Sequence, residues 1–308
     1  MCKEVEKNIR NKMTCLFVCP PHDLLVCAKK LKMKYPNIRM LIDWQDLLSF
    51  DEYYFSKHPN WKKERMIRLE RDVLKFINMN IFSNYKAENM MISQFDISSY
   101  TCTSIVHPFD KEELPSKEVK YFNKKLPGKG IKYGFLGGLF KEPKVPGDKF
   151  LLALKHVVTN IDTEATLHIW GTSYRIIEKT CPSSRNMHKN IFAYDFIPHE
   201  KALSELSHCD VLILILGHVP NANVIMHAKL SHYLALGLPI LAFVPENSFV
   251  REVINRTKKG FVVSDNDWIK GFIDFYNNIE NISFEANKKE IDKFGLDRFI
   301  SNWMEILD

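Results

Sequence analysis

The stretch AKLSHYLALGLPILAF, residues 228–243, decides the fold of this chain. Its first nine residues predict a helix, and Gly237 followed by Pro239 is a strong signal for the end of that helix. The apolar run 240–243 then predicts a buried central strand of a parallel sheet. A helix followed at once by a buried strand is the repeating step of an α/β fold.

Apolar strands alternate with helices on both sides of this stretch, which is typical of βαβ units and parallel sheets. The predicted strands are residues 14–19, 39–42, 80–83 and 104–107 in the first half, and 132–136, 165–170, 192–194, 211–216, 240–243 and 260–263 in the second. The predicted helices are residues 24–33, 61–77, 149–158 and 199–207, together with a helical tail over 284–307 that breaks near Gly295. Ligands of such sheets bind at the carboxyl ends of the strands.

Composition is that of a globular protein with room for two domains. The 308 residues are 45% hydrophobic and 26% charged. We expect a cytoplasmic protein, since the charged start MCKEVEK has no apolar signal core and no apolar run is long enough to span a bilayer. The seven cysteines lack metal-ligand spacing, which favours reduced thiols. The net charge of +6 suits a diphosphate or an anionic membrane face, and equally an ordinary solvated surface.

Five further segments accompany the opening stretch in a fixed order. They are Pro20-Pro-His22, Ile42-Asp-Trp-Gln-Asp46, Tyr133-Gly-Phe-Leu-Gly-Gly-Leu-Phe140, Leu167-His-Ile-Trp-Gly171 and Asp195-Phe-Ile-Pro-His199. With these segments, the chain resembles GT-B glycosyltransferases of the group 1 (family 4) type. The resemblance implies an α/β protein with two Rossmann-like, doubly wound parallel-sheet domains. The N-terminal domain would be shortened, since the chain starts too late for the family's opening strands and acceptor loop.

The domain limits follow from the polar linker near residues 111–129, which contains Pro115, Pro127 and Gly128. We predict an acceptor-side domain over residues 1–125 and a nucleotide-sugar-binding domain over 130–283. Residues 284–308 would form helices that pack back on the first domain.

The resemblance also implies a reaction. A sugar would move from a nucleotide-diphospho-sugar to a glycan or lipid-linked acceptor in cell-surface polysaccharide synthesis. It implies retention at the anomeric carbon and no cofactor besides the donor substrate. We expect no obligatory metal, because Asp43 and Asp46 do not form the DxD signature of the other large glycosyltransferase fold. We also expect no nucleic-acid partner.

The donor site is predicted in the second domain. Gly137 and Gly138 follow a strand, where glycines let backbone N–H groups approach a diphosphate, although an ordinary tight turn has the same sequence. Lys141 would neutralise the diphosphate, with Lys144 as a second candidate. The resemblance adds Gly171 and Ile197 at the next two strand ends.

The helix of the opening stretch should face the same donor. We predict that Asn223 caps a helix beginning near Val224, and that Lys229 lies on that helix. The family has two Glu here with seven residues between them, and this chain has Val224 and His232 instead. A neutral histidine can accept one hydrogen bond and donate another, so His232 could hold a ribose, or it could simply pack. The lost first Glu favours an inactive or altered enzyme.

The catalytic candidates lie in the first domain. His22 and Asp46 follow neighbouring strands, so both should project at a carboxyl edge. His22 would contact the donor phosphate or sugar, and Asp46 would orient an acceptor hydroxyl or act as base. Loop capping is the plain alternative for both.

Two rival functions remain open: a non-catalytic GT-B-like binding protein, and one half of a split transferase completed by a partner subunit or second copy. A first-domain sheet of at most four strands should expose an apolar edge or face that such a partner would cover. The basic and aromatic stretch 53–71 allows peripheral contact with the inner membrane face, although a solvated helix face explains it more simply.

Overall fold

The computed structural model describes residues 13–50, 55, 57–115, 126–141, 144–263, 267–279 and 285–308. The chain divides into two units. The first unit contains the residues up to Val106 together with Val224–Met226, and the second contains His107–Asn223 and His227–Asp308. The division therefore falls at Val106, earlier than the limit near residue 125 expected from the linker. Each unit is built on its own parallel sheet, which confirms the predicted α/β class.

The first unit is a four-stranded parallel sheet with helices. Its elements are β1 (Thr14–Cys19), α1 (Leu24–Lys34), β2 (Arg39–Trp44), α2 (Asn60–Phe76), β3 (Met79–Phe82), α3 (Tyr85–Phe95) and β4 (Cys102–Ser104). The strands lie in the order β1-β2-β3-β4. The last strand was predicted two to three residues too late, at 104–107.

The strand β1 has one buried and one exposed face. Cys15, Phe17 and Cys19 face the core, whereas Leu16 and Val18 remain 47% and 44% exposed. This is the period of two that a strand covered on one side produces. Because β1 is the first strand in the sheet order of the described residues, these apolar side chains lie at the edge of that sheet.

The second unit contains a six-stranded parallel sheet. Its elements are β5 (Lys132–Leu136), the short pair β6 (Phe140–Lys141) and β7 (Val145–Pro146), α4 (Gly147–Asn160), β8 (Thr166–Trp170), α5 (Tyr174–Thr180), β9 (Ile191–Tyr194), α6 (His199–Leu206), β10 (Val211–Ile215), α7 (Ala228–Leu236), β11 (Ile240–Phe243), α8 (Phe249–Thr257), β12 (Gly260–Val263), α9 (Trp268–Asn278), α10 (Lys288–Ile291) and α11 (Leu296–Leu307).

The strand order of the second sheet fixes where a ligand would bind. The strands lie in the order β12-β11-β10-β5-β8-β9. The chain builds outward from β5 through β8 to β9, and then returns to place β10 on the other side of β5. The order thus reverses between β5 and β10, and the carboxyl ends of these strands border the crevice that doubly wound folds use for ligands.

The C-terminal helices belong to the second unit. Phe109 donates its N–H to Phe294 O at 2.8 Å and accepts from Leu296 N at 3.1 Å, on either side of Gly295. The predicted break at Gly295 is confirmed, since a 3₁₀ turn ends there and α11 begins at the next residue. No helix among the described residues is both long and apolar enough to cross a membrane.

Candidate functional site

Two glycines shape the carboxyl ends of β5 and β8. Gly137 has φ +106° and Gly171 has φ +99°, a backbone region that side chains with a Cβ rarely adopt. A Cβ added to Gly171 would lie 3.2 Å from the Cα of Gly137, so the two backbones pack directly against each other. Gly137 also donates its N–H to Trp170 O at 2.7 Å. The predicted loop is therefore a turn that requires glycine for both conformation and space.

Thr172 fastens this turn from the side. Its hydroxyl donates to Gly137 O at 3.0 Å and accepts from Leu139 N at 2.9 Å. The side chain is buried, with 3% exposure. Sequence reasoning missed Thr172, although a hydroxyl directly after Gly171 is a common way to satisfy turn amides. Gly138 belongs to the same turn, between Gly137 and Leu139, the two residues to which Thr172 is hydrogen-bonded.

The helix α7 places a cation beside Gly137. The ammonium of Lys229 donates to Leu136 O at 2.8 Å and lies 4.3 Å from the centroid of the Phe135 ring. A Cβ on Gly137 would be only 3.8 Å from Lys229 Nζ. The positive charge therefore stands at the carboxyl end of β5, where the strand order reverses.

Tyr233 ties the same helix to the same strand. Its hydroxyl accepts the N–H of Leu136 at 3.1 Å, one helical turn beyond Lys229. Burial raises the pKa of Tyr233 well above its usual value, so the hydroxyl stays neutral. With Lys229 on the carbonyl and Tyr233 on the amide of Leu136, α7 is fixed against the end of β5 from both sides.

His232 is a half-buried residue of α7, next to two other polar side chains. Its Nδ1 is 3.3 Å from Ala228 O, and its Nε2 is 3.5 Å from Glu113 Oε2. The His199 ring packs edge-on against it, with centroids 4.5 Å apart. Burial, followed by His199, lowers the pKa of His232, which favours the neutral imidazole that the ribose hypothesis requires.

The prediction for Asn223 as a helix cap is wrong. Residues Ala222–Val224 form a 3₁₀ turn, and α7 begins only at Ala228, after His227 as its N-cap. Asn223 itself is exposed. Val224, where the family has its first Glu, is 6% exposed and packs in the hydrophobic core of the first unit, while its carbonyl accepts from Asn84 Nδ2 at 2.8 Å. That position therefore holds a packing residue.

The remaining donor candidates are Lys141, Lys144 and Ile197. Lys141 ends β6, and its side chain lies outside the described part of the structure. The carbonyl of Lys144 accepts from Gly217 N at 2.8 Å, which ties the loop before α4 to the end of β10. Ile197 is half-buried in the loop between β9 and α6, beside the exposed Phe196.

His22 and Asp46 follow the carboxyl ends of β1 and β2, which are neighbouring strands of the first sheet. The N–H groups of Gln45 and Asp46 both donate to Cys19 O, at 2.9 and 3.3 Å, so the loop after β2 closes against the end of β1. Asp46 is exposed, and His22 is half-buried. Sequence reasoning correctly placed both residues after neighbouring strands, and it gave no role to Asp43.

Asp43 is buried at the end of β2. It is 7% exposed and accepts a hydrogen bond from Gln45 Nε2 at 2.6 Å. Burial raises its pKa, and the Gln45 bond partly offsets that rise. Asp46 is thus the exposed carboxylate after β2, whereas Asp43 is buried and bonded to Gln45 within the same segment.

Comparison with known proteins identifies the fold. No model of a protein family matches the sequence, and no curated protein matches it either. Sucrose-phosphate synthase from Thermosynechococcus elongatus is similar in structure, with a TM-score of 0.75 and 11% identity over 99% of this chain and 75% of that one.

Two further solved structures resemble the chain. HepE from Anabaena, solved in complex with UDP, has a TM-score of 0.67 and 12% identity over 95% of this chain and 78% of that one. The GtfA/B complex has a TM-score of 0.57 and 14% identity over 91% of this chain and 54% of that one. At such low identity the likeness concerns the fold, which is the GT-B fold of two Rossmann-like units.

Proposed function

We propose that the chain is a glycosyltransferase that takes a sugar from a nucleotide-diphospho-sugar. The observation that carries the proposal is the arrangement at the end of β5, where Gly137, Gly171 and the ammonium of Lys229 meet at the reversal of strand order. The N–H groups of Gly137 and Leu139 are bonded within the protein, so in this proposal the Gly138 N–H and the fixed ammonium bind the anion. The HepE structures that contain UDP and UDP-glucose support a uridine donor as the first to test.

The reaction proposed is transfer with departure of the nucleoside diphosphate. As the bond from the anomeric carbon to the diphosphate breaks, negative charge grows on the leaving oxygen. The fixed ammonium of Lys229 and the Gly138 N–H would stabilise that charge more than they stabilise the bound substrate, which lowers the barrier. In this proposal Gly138, Lys141, Ile197 and Asn223 complete the donor site, and the reaction is retaining and independent of metal.

The acceptor is proposed to be a glycan or lipid-linked sugar in cell-surface polysaccharide synthesis. His22 would contact the donor, and Asp46 would orient the acceptor hydroxyl, since it is the exposed carboxylate at its strand end. The chain would work in the cytoplasm, at the inner membrane face when its acceptor is lipid-linked.

The donor site can be tested by thermal melting with UDP, GDP and ADP at millimolar concentration. A native-state ligand raises the melting temperature by mass action. We expect at least one diphosphate to do so, and Lys229→Met to abolish most of the shift. Lys132→Met is a matched control, because Lys132 stands at the amino end of the same strand, 3.9 Å from Asp210. Unchanged melting with all three nucleotides would refute the donor site.

A non-catalytic nucleotide-binding protein is the second candidate. It is favoured by Val224, which packs in a hydrophobic core where the family has a Glu. Release of free sugar from the bound donor separates the two candidates. Binding with hydrolysis or transfer supports the enzyme, and binding without either supports the second candidate.

A partner subunit or a second copy is proposed for the exposed edge of the first sheet. Leu16 and Val18 are about half exposed there, and natural proteins usually cover such edges. The GtfA/B complex shows that a protein of similar fold can be found in a complex. Sedimentation of the purified chain at high concentration tests self-association, and a monomer that transfers sugar on its own would argue against a required partner.

A further inference from the structure

Three side chains that are far apart in sequence meet on the surface of the second unit. Glu113, His199 and His232 each present one ligand atom, and these atoms all lie within 4.8 Å of one another. Glu113 Oε2 is 3.5 Å from His232 Nε2 and 3.8 Å from His199 Nε2. The carboxylate therefore faces two imidazole nitrogens at once.

At 3.5 and 3.8 Å these separations are longer than the usual distance of about 2.7–3.2 Å in a hydrogen bond. They come close to the spacing of ligands around one metal ion. Ligands at about 2.0–2.1 Å from a tetrahedral zinc ion lie about 3.3–3.4 Å apart. The two histidine ligand atoms lie within 4.8 Å of each other, and rotation of the Glu113 and His199 side chains, which are 43% and 46% exposed, would close the remaining gap.

Other contacts of the second unit hold the segments that carry these residues. Ser231, the neighbour of His232, donates its hydroxyl to His107 O at 2.6 Å and so holds the segment that leads to Glu113. Phe109 in that segment pairs with Phe294 and Leu296. His199 is the first residue of α6. The site therefore brings together three separate parts of the second unit.

The histidine tautomer also suits a metal. A carbonyl oxygen can only accept, so the neutral His232 donates its Nδ1–H to Ala228 O at 3.3 Å. Its lone pair then lies on Nε2, the atom that faces Glu113. A backbone carbonyl on the second ring nitrogen is the usual support of a metal-binding histidine.

We propose that Glu113, His199 and His232 bind one divalent transition-metal ion, Zn²⁺ foremost. Two imidazoles and one carboxylate are a ligand set that zinc accepts, with a fourth position open to water or an exogenous ligand. The site goes beyond the proposed sugar transfer and does not depend on it. The expectation of metal-independent catalysis concerns the reaction, whereas this ion would link α6, α7 and the segment around Glu113.

The test is calorimetric titration of ZnCl₂ into the full chain, prepared without a histidine tag and freed of metal. We expect one ion per chain. Glu113→Gln and His199→Ala should each weaken binding by at least about tenfold, because even loss of a supporting partner costs a metal site 10–100-fold. His208→Ala is the matched control: His208 also places Nδ1 against the carbonyl four residues earlier, at 2.9 Å, and lies outside the cluster.

Cobalt(II) substitution identifies the ligands independently. The site should show visible d–d bands without the near-ultraviolet thiolate band that cysteine ligation would give. The proposal is overturned if the wild type binds no zinc below millimolar concentration, if Glu113→Gln binds as tightly as wild type, or if a thiolate band appears. Should His199→Ala fail to fold, Glu113→Gln alone decides, since its carboxylate is exposed and the change preserves shape.

Discussion

The carboxyl edges of the two parallel sheets carry groups of opposite charge. In the second unit, Lys229 stands beside the glycine turn at the end of β5. In the first unit, Asp43 and Glu70 are buried near Cys19 at the end of β1. Burial is the largest cause of the raised pKa of Cys19, and the charges of these two carboxylates raise it further. An anionic diphosphate is attracted to the ammonium of Lys229 in the second unit and is repelled by ionised Asp43 and Glu70 in the first unit. The difference supports the proposal that the donor phosphates bind in the second unit.

The largest expected effect concerns Glu70, which is fully buried on α2 and accepts from Ser49 N at 3.3 Å. Burial raises its pKa from 4.5 to about 7. Below pH 4.5 Glu70 is protonated in both the folded and the unfolded chain, so it does not lower the free energy of unfolding. As the pH rises from 4.5 through 7, the unfolded chain releases this proton first and the folded chain loses stability. A shift of that size corresponds to about 3 kcal/mol. Glu70→Gln should remove most of this loss in urea denaturation between pH 5 and 8.

The exposed Glu64 on the same helix provides the control for this prediction. Glu64→Gln should leave the pH dependence as it is in the wild type. Identical pH profiles for wild type and Glu70→Gln would show that the Glu70 carboxylate is solvated. That result would weaken the contrast in charge between the carboxyl edges of the two sheets.

The second unit should respond to pH in the opposite direction. His168 is buried on β8, with Thr166 Oγ1 at 3.0 Å and Tyr194 Oη at 3.2 Å from its ring nitrogens. Burial lowers its pKa from 6.5 to about 4. Stability present above pH 6.5 is thus lost as the pH falls towards 4, by about 3 kcal/mol.

His168→Phe keeps a ring that can stack on Phe192, whose centroid lies 5.1 Å away. It should be less stable than wild type at pH 7, because Thr166 and Tyr194 lose a partner, yet its stability should vary less between pH 6.5 and 4. Nuclear magnetic resonance of the imidazole gives a direct check, and protonation of His168 near pH 6.5 would contradict the burial argument.

The glycine turn should show a smaller effect. Gly171→Ala forces a Cβ onto φ +99° and to 3.2 Å from the Gly137 backbone, which should cost about 2 kcal/mol. Gly237→Ala, at φ +74° with nothing within 4 Å of the added Cβ, should cost about 1 kcal/mol. Equal losses of stability for the two variants in urea denaturation would mean that only the backbone angle matters, and that the turns at Gly137 and Gly171 are not packed together.

The sequence predicted the sheets better than the helices. Wholly apolar runs such as 211–216 and 240–243 mark strands buried on both faces, and their observed bounds agree within a residue. The helices α3, α5, α8 and α9 were not predicted. Three of them carry a side-chain cap in the sequence, from Asn84, Ser248 and Asp267. Attention to these caps would have found them.

The site could be predicted only in part. Gly137, Gly171 and Lys229 follow from their positions at strand ends and on α7, and the structure brings them together. The bonds of Thr172 and Tyr233 depend on how separate elements pack, which a local pattern does not specify. The same holds for Glu113 and His199, which meet His232 only after three parts of the chain have folded together.

The smallest expected effect concerns His232 and divides the two proposals made for it. If His232 holds the ribose of the donor, His232→Ala should weaken nucleotide binding by one hydrogen bond, about 1 kcal/mol or a factor of five. His232→Glu should retain or improve nucleotide binding, because a carboxylate accepts from both ribose hydroxyls. Calorimetric titration with the diphosphate that shifts melting measures both. Equal nucleotide affinity in all three proteins would show that His232 does not contact the ribose. Zinc titration of the same variants then tests the second role, since His232→Ala should lose the ion whether or not it still binds nucleotide.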